Sequence, residues 1–252
     1  MDAYTAWKES FPLLDKAGRR VAHAKPAHLY FKHKALMPSH SYFMKDFRYW
    51  KRPTSGGVYP EFDGYLLVLV TEVSGFSRGV HMIPLDKSGR VISKGNLRER
   101  LLPFHKGVSV VSDAFRVLDV PTTGVLHLAP SLSSAFMASL VKGQRTWAPV
   151  FPEALDVMDL PPNLEEVWIW REQGCNGLTS VHCDKLVSKL LVKGIVVHIM
   201  DLDPLLKEKT WADAYRSKGI YTLGDRKERF QACLKIGDYS CVSEFGVITK
   251  NA

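Results

Sequence analysis

The sequence predicts an α/β protein, with a parallel-sheet domain preceded by a smaller α+β region. Two observations support this fold class. From Val125 onward short apolar runs alternate with helical segments, whereas the two apolar runs between Gly64 and Leu85 are joined by a short turn. Strands that alternate with helices indicate a parallel sheet, and strands joined by tight turns indicate an antiparallel one. We therefore predict an α+β region at 1–118, an α/β domain at 119–222, and a C-terminal helix and tail at 223–252.

The N-terminal region is predicted to combine helices with antiparallel strands. Residues 2–24 are expected to be helical and then irregular, and a short helix is expected over Pro26–Leu36 because proline suits a first helical turn. Further on, apolar runs bounded by turn residues predict strands at Gly64–Thr71, Arg78–Leu85 and Lys106–Val111. The first two of these strands should form a hairpin.

The C-terminal domain is predicted to alternate strands with helices. The expected strands are Val125–Leu128, Arg145–Val150, Val167–Trp170 and Ile195–Met200, and the expected helices are Ser131–Val141, a short one within Phe151–Leu160, and Leu178–Val192. Trp168 and Trp170 share one face of their strand, and we expect that face to be core.

The helix at Leu178–Val192 is predicted to be amphipathic. Its inner face should present Val181, Leu186, Leu190 and Leu191, and its outer face a lysine row with a spacing of four residues: Lys185, Lys189 and Lys193.

Composition and charge narrow the class of protein. The chain has 252 residues, of which 46% are hydrophobic, enough for a substantial core. No apolar run approaches the roughly 20 residues that span a bilayer, and no basic and apolar leader is visible, so we expect a cytoplasmic protein without membrane insertion. The formal net charge of +8 favours polyanionic partners. The four cysteines lack paired CxxC spacing and are expected to be free thiols.

A stretch of alternating aromatic and basic residues runs from His40 to Arg52. Rings that stack on bases, beside cations that meet the backbone, are typical of single-stranded nucleic-acid sites. The alternative is that the rings simply face a core. The residues predicted to contact single-stranded DNA are Lys45, Arg48, Trp50, Lys51 and Arg52.

The order of elements resembles the Toprim domain of plasmid and phage primases, including those of conjugative plasmids, and the upstream half resembles the region before Toprim in those proteins. The resemblance covers about Ala27 to Gly219. It rests on Gly79-Val80-His81, Pro84-Leu85-Asp86, Gly89, Leu160-Pro161-Pro162, Glu166-Val167, Gly177, and the run from Lys209 to Tyr215. The resemblance implies a Toprim-like, Rossmann-like sheet.

The chain departs from that family at the catalytic positions. The family's glutamate, at the end of the strand before the first helix, falls on the segment beginning at Pro130, which has no carboxylate. The family's Asp-x-Asp pair falls on Glu172-Gln173-Gly174, so one acid remains. A Toprim acid cluster holds divalent metal against a phosphodiester, and one carboxylate of three cannot do so. We therefore expect no catalysis, with Pro130, Glu172 and Gly174 as degenerate positions.

Asp201 and Asp203 follow a predicted strand with Asp-x-Asp spacing and are candidate replacement acids. Because Pro204 suits a first helical turn, a helix-capping role for this pair is the favoured interpretation. We predict no cofactor; magnesium would bind only if Glu172, or Asp201 with Asp203, formed an unexpected site.

Two classes of function follow from these residues. In the first, an inactive primase-derived protein binds a protein component of a conjugation or replication apparatus and inhibits or modulates conjugative transfer, as plasmid fertility-inhibition proteins do. In the second, the chain is a single-stranded nucleic-acid-binding accessory module of a replication primase. An active Toprim primase or nuclease would require acids that the sequence lacks.

Overall fold

The computed structural model describes residues 2–34, 45–53, 59–117, 124–142, 145–172, 178–202, 210–218 and 248–250. The chain divides into two compact units, Met1–Phe115 and Arg116–Ala252. The helix predicted near Asp225–Arg229 lies outside the described residues.

The helices of the N-terminal unit begin where local chemistry favours them. Helix α1 is Ala3–Glu9, and the Asp2 carboxylate accepts a hydrogen bond from the Thr5 amide at 2.9 Å, which caps its first turn. A 3-10 turn at Ala22–Ala24 leads into α2, Lys25–His33, with Pro26 in the first turn. The short helix predicted at this proline is confirmed.

The N-terminal unit contains a sheet with antiparallel pairing. Its strands are β1 (Phe11–Pro12), β2 (Phe47–Lys51), β3 (Phe62–Thr71), β4 (Ser77–Asp86) and β5 (Arg100–Pro103), and each pairs antiparallel with the next. The predicted hairpin is confirmed as β3 and β4. It is followed by a turn in which the Gly89 amide donates to the Asp86 carbonyl at 3.0 Å, with Gly89 at a φ of 79°.

Helices pack against both faces of this sheet. On one face, Ala3 and Ala6 of α1 lie in a cluster with Tyr65, Leu67, Val80 and Met82. On the other face, Phe31 of α2 meets Phe47 of β2 edge to face, with ring centroids 5.2 Å apart. The alternation of residues along β2 and β3 therefore supplies two apolar faces.

The strand predicted at Lys106–Val111 is wrong. This segment is made of turns: the Val108 amide donates to the His105 carbonyl at 3.3 Å, and the Asp113 amide donates to the Val110 carbonyl at 3.3 Å. Gly107, at a φ of 79°, takes the backbone out of the extended region. The strands lie on either side, as β5 and as β6 (Ala114–Val117), whose Ala114 pairs with Thr71.

The C-terminal unit is the predicted α/β domain. Its strands are β7 (Val125–Leu128), β8 (Thr146–Pro149), β9 (Glu166–Arg171), β10 (Val196–Asp201) and β11 (Ile248–Lys250), in the order β8-β7-β9-β10-β11. β7 to β10 pair in parallel, and β11 is antiparallel to β10. The helices are α3 (Leu132–Lys142), α4 (Leu178–Val192) and α5 (Trp211–Lys218), with a 3-10 turn at Pro152–Ala154. The predicted fold class is confirmed.

The core of this unit is centred on β9. Val167 and Ile169 have no exposed surface, and Trp168 and Trp170 are each 1% exposed, so both faces of the strand are buried. The two tryptophans are core residues, as predicted.

Helix α4 buries a row that differs slightly from the predicted one. The buried residues are Cys183, Leu186, Val187 and Leu190, at spacings of three and four. Val181 lies off this row and is 50% exposed, so its predicted core position is wrong. Lys185 and Lys189 are exposed, as predicted. Within the described ranges, no helix is long and apolar enough to cross a membrane.

Candidate functional site

The candidate site lies where β9 ends, at the one acid that remains of the expected cluster. Glu172 directly follows the strand and is only 6% exposed. Its Oε1 atom accepts hydrogen bonds from the Ser134 hydroxyl of α3 and, at 3.0 Å, from the Trp211 amide of α5. The carboxyl group therefore joins the end of a strand to the first turns of two helices.

Ser134 and the first turn of α5 are held in place by further bonds. The Ala212 amide donates to the Ser134 hydroxyl at 3.4 Å, and the Trp211 indole donates to the Arg171 carbonyl at 3.0 Å. The Thr210 hydroxyl accepts from the Asp213 amide at 3.1 Å, which caps the helix. Because helix N-termini offer unpaired amides, a buried carboxyl group at this point satisfies donors that the fold would otherwise leave open.

The surroundings of Glu172 raise the pKa of its carboxyl group toward neutral pH. Burial is the largest cause, and it raises the pKa of Glu172 to about 7. The hydrogen bonds from Ser134 and Trp211 lower the pKa, and the nearby Asp213 carboxylate raises it. A carboxyl group in this position carries less negative charge at neutral pH than an exposed glutamate does.

The acid at the end of the neighbouring strand is paired with a cation. Asp201 of β10 accepts two hydrogen bonds from the Arg171 guanidinium, Nε to Oδ1 at 2.5 Å and Nη2 to Oδ2 at 2.8 Å. A second carboxylate, that of Asp184, lies 3.4 Å from Arg171 Nη1. The bond to Asp201 raises the pKa of Arg171, so the guanidinium stays charged. Both oxygens of Asp201 are thus occupied by an internal ion pair.

Of the positions at which the resemblance places metal ligands, the structure describes Pro130 and Glu172. Pro130 is buried between β7 and α3, and it offers no ligand. Gly174 and Asp203 lie outside the described residues. Across the described ranges, no group of three or more His, Cys, Asp or Glu side chains is placed to hold a metal ion. The acids that are described do not fit magnesium, because Glu172 faces helix donors and Asp201 faces arginine.

The residues predicted to contact nucleic acid do not all face outward. Arg48 donates from Nε to the Ser10 hydroxyl at 2.8 Å and lies 5.5 Å from the ring centroid of Trp7. Burial lowers the pKa of Arg48. Trp50 packs beside Tyr65, with ring centroids 6.0 Å apart. Both side chains therefore stabilise the contact between β2 and its neighbours.

The remaining members of the predicted set differ from one another. Arg52 donates from Nη1 to the Tyr59 carbonyl at 2.7 Å and lies 5.7 Å from the Phe62 ring. Lys45 and Lys51 are exposed. These two lysines are therefore the most exposed members of the predicted set.

Sequence reasoning missed the partners of Glu172. Ser134 is 38 residues away from it and Trp211 is 39 residues away. Only one local signal was available: Thr210-Trp211-Ala212-Asp213 has the spacing of a capping box and marks the start of a helix. That signal predicts α5, but not the carboxyl group that meets its first amide.

Comparison with known proteins identifies the fold and leaves the family open. No family model matches the chain, and no curated protein matches it in sequence. In structure, the chain is similar to primase cores. The structure of the DnaG catalytic core matches with a TM-score of 0.53 and 11% identity, over 86% of this chain and 74% of that one.

A second match is a crystal structure of the Aquifex aeolicus primase, comprising its zinc-binding and RNA polymerase domains. The TM-score is 0.47 and the identity 12%, over 77% of this chain and 44% of that one. This chain therefore spans less than half of the length of that structure. The primase-like part of the predicted resemblance is confirmed at the level of the fold by the DnaG core.

Proposed function

We propose that the chain is a catalytically inactive, primase-derived protein that acts in the cytoplasm by binding a protein component of a conjugation or replication apparatus, and so inhibits or modulates plasmid transfer. The observation that carries the inactivity is the state of Glu172. This residue is buried, and it accepts bonds from Ser134 and Trp211.

Metal-assisted phosphoryl chemistry requires carboxylates that face an open position and stay charged. Burial raises the pKa of Glu172 to about 7, and Asp201 is bound by Arg171. Pro130 and Gly174 have no carboxylate, and among the residues that the structure describes no group of three or more His, Cys, Asp or Glu side chains could hold an ion. A fold retained without its acids supports a role in binding.

Catalysis is tested directly with the purified chain, a single-stranded template, nucleotides and Mg²⁺. We expect neither primer synthesis nor strand cleavage. The matched variant is Glu172→Gln, which keeps the shape of the side chain. Magnesium-dependent activity that is present in the native chain and lost in this variant would refute the inactivity.

The conjugation part of the proposal rests on the resemblance to primases of conjugative plasmids, and it is tested in mating experiments. Expression of the chain in donor cells should lower the transfer frequency of a co-resident conjugative plasmid, and a tagged chain should capture a transfer or replication component. Unchanged transfer together with no captured component would contradict this proposal.

The second candidate function, a single-stranded DNA-binding accessory module, is favoured by the net charge of +8 and by the exposed Lys45 and Lys51. Binding should weaken steeply with salt and fall further when both lysines are changed to alanine. The matched control neutralises Lys16 and Lys87, two exposed lysines elsewhere in the same unit. An equal loss of DNA affinity in the two double variants would show that net charge alone is responsible for the binding.

A further inference from the structure

Strand β5 forms an edge of the N-terminal sheet. Among the strands that the structure describes, β5 pairs with β4 alone. The Phe104 amide donates to the Arg78 carbonyl at 2.8 Å, and the register places Leu102 opposite Val80. Because antiparallel bonds alternate, the N–H and C=O of Leu101 point away from β4. These groups are in position to pair with another strand.

A groove follows this edge. Its volume is about 500 Å³, and it is lined by Asn96, Arg98, Glu99, Arg100, Leu101 and Leu102. Arg98 and Arg100 are exposed, and Leu101 and Leu102 are partly exposed. Arg98 lies at a bend before β5, and Arg100, the first residue of the strand, donates from Nη2 to the Asn96 carbonyl at 2.5 Å. Both arginines line the groove beside the start of the strand.

We propose that the groove binds an extended, acidic peptide segment of a protein partner, which adds a strand beside β5 and places acidic side chains near Arg98 and Arg100 at the start of that strand. Strand addition matches the outward N–H and C=O of Leu101. Acidic side chains complement the charge of the two exposed arginines.

The sequence of β5 limits the backbone hydrogen bonds that an added strand can form, so binding depends on contacts with the charged side chains. Pro103 occupies the next outward position and has no N–H, so it cannot donate to an added strand. Few backbone bonds are therefore available to the incoming segment, and the arginine contacts must supply much of the affinity and the selectivity.

A peptide fits the groove better than a nucleic acid does. The Glu99 carboxylate lies in the groove, 3.1 Å from the Nε2 atom of His81, and it disfavours either a phosphate or an acidic side chain directly beside it. The hydrogen bond with His81 lowers the pKa of Glu99, which keeps it charged. A peptide strand has the alternating donors and acceptors that match Leu101, whereas a sugar-phosphate chain does not.

This inference rests on the proposed function only in taking the partner to be a protein. Peptide binding by the purified full chain is measured without any plasmid, so its failure is distinct from failure of the mating experiment.

The probe is a fluorescent synthetic peptide in which Glu alternates with Val, and binding is followed by anisotropy. Arg98→Glu combined with Arg100→Glu should weaken binding by about tenfold or more, because like charges then face each other. The matched control, Lys16→Glu combined with Lys87→Glu, changes net charge equally at distant exposed sites and should leave most of the affinity.

A second pair of variants tests strand addition. Leu101→Pro removes the outward N–H without removing a bond to β4 and should weaken binding several-fold, whereas Leu101→Val keeps the N–H and should bind like the native chain. Thermal melting verifies that each variant is folded. The proposal is overturned if the peptide does not bind, if these variants do not change its affinity, or if single-stranded DNA occupies the groove in its place.

Discussion

At the scale of single residues, Glu172 shows how a buried carboxyl group can join a strand to two helices. Its carboxyl group contacts Ser134 and Trp211, both of which donate to it. These donors would favour a charged carboxylate, yet burial outweighs them and raises the pKa to about 7. The residue therefore contributes to stability in its protonated form more than in its charged form.

The shift predicts a dependence of stability on pH. The pKa in the folded chain, about 7, lies above the unfolded value of 4.5, so the native state binds the proton more tightly. The contribution of Glu172 is complete below pH 4.5 and is lost as pH rises through 7, by about 3 kcal/mol in total. Glu172→Gln should remove this fall in the free energy of unfolding, measured by urea denaturation at several pH values.

The control for this measurement is Asp159→Asn, an exposed acid in the same unit. That variant should keep the native slope between about pH 4.5 and pH 8, a range that includes the pKa of Glu172. A native slope that persisted in Glu172→Gln would show that another group is responsible.

Arg48 and Lys51 provide a second residue-scale contrast. The Arg48 guanidinium donates to the Ser10 hydroxyl and lies over Trp7, whereas Lys51 is exposed. Arg48→Ala should lower the free energy of unfolding by about 1–3 kcal/mol, because a charge-assisted bond and its packing are lost. Lys51→Ala should change it by less than about 0.5 kcal/mol. Urea denaturation of both variants checks this, and equal costs would contradict the assignment.

At the scale of elements, the sequence predicts most of the C-terminal unit. The bounds of β7 and α4 coincide with the prediction, because a glycine precedes each apolar pattern and Pro130 or Gly194 follows it closely. The strand predicted at Lys106–Val111 was wrong because its valines have the pattern of a strand, whereas Gly107 turns the chain. Local apolar content did not reveal that turn.

The candidate site was only partly predictable for a related reason. The sequence indicates that Glu172 follows a strand, and the resemblance identifies Pro130 and Gly174 as changed positions. The bond between Glu172 and Ser134 depends on how α3 packs beside β9, and no local pattern encodes that packing. The face of β2 on which Arg48 lies also depends on tertiary contacts of this kind.

Burial of β9 leads to a prediction at the element scale. Trp168 is 1% exposed and stacks on His198 of β10, with ring centroids 4.1 Å apart. Trp168→Ala should lower the free energy of unfolding by about 3–5 kcal/mol, because it leaves a large cavity. Val192→Ala, at a position that is 89% exposed, should cost less than about 0.5 kcal/mol. If chemical denaturation showed comparable losses in the free energy of unfolding for the two variants, the central role of β9 would be refuted.

At the scale of the whole molecule, fold and chemistry lead to different conclusions. The fold is similar to that of the DnaG catalytic core, at 11% identity. A shared fold does not transfer an activity, because activity depends on the side chains at the site. Among the described residues, Glu172 accepts a bond from a helix amide and Asp201 accepts bonds from arginine.

This reasoning predicts how the complete chain responds to magnesium. An ion that binds only the native state stabilises it by mass action, so a site with a dissociation constant of about 1 mM would add about 1.4 kcal/mol at about 10 mM Mg²⁺. For a chain of this size that gain would raise the melting temperature by about 3 °C or more. We expect no such rise relative to NaCl at matched ionic strength. Because thermal melting samples the entire chain, residues 173–177 and Asp203 are included in the test. A rise specific to magnesium that disappears in Glu172→Gln would demonstrate a metal site at the end of β9 and refute the proposed loss of catalysis.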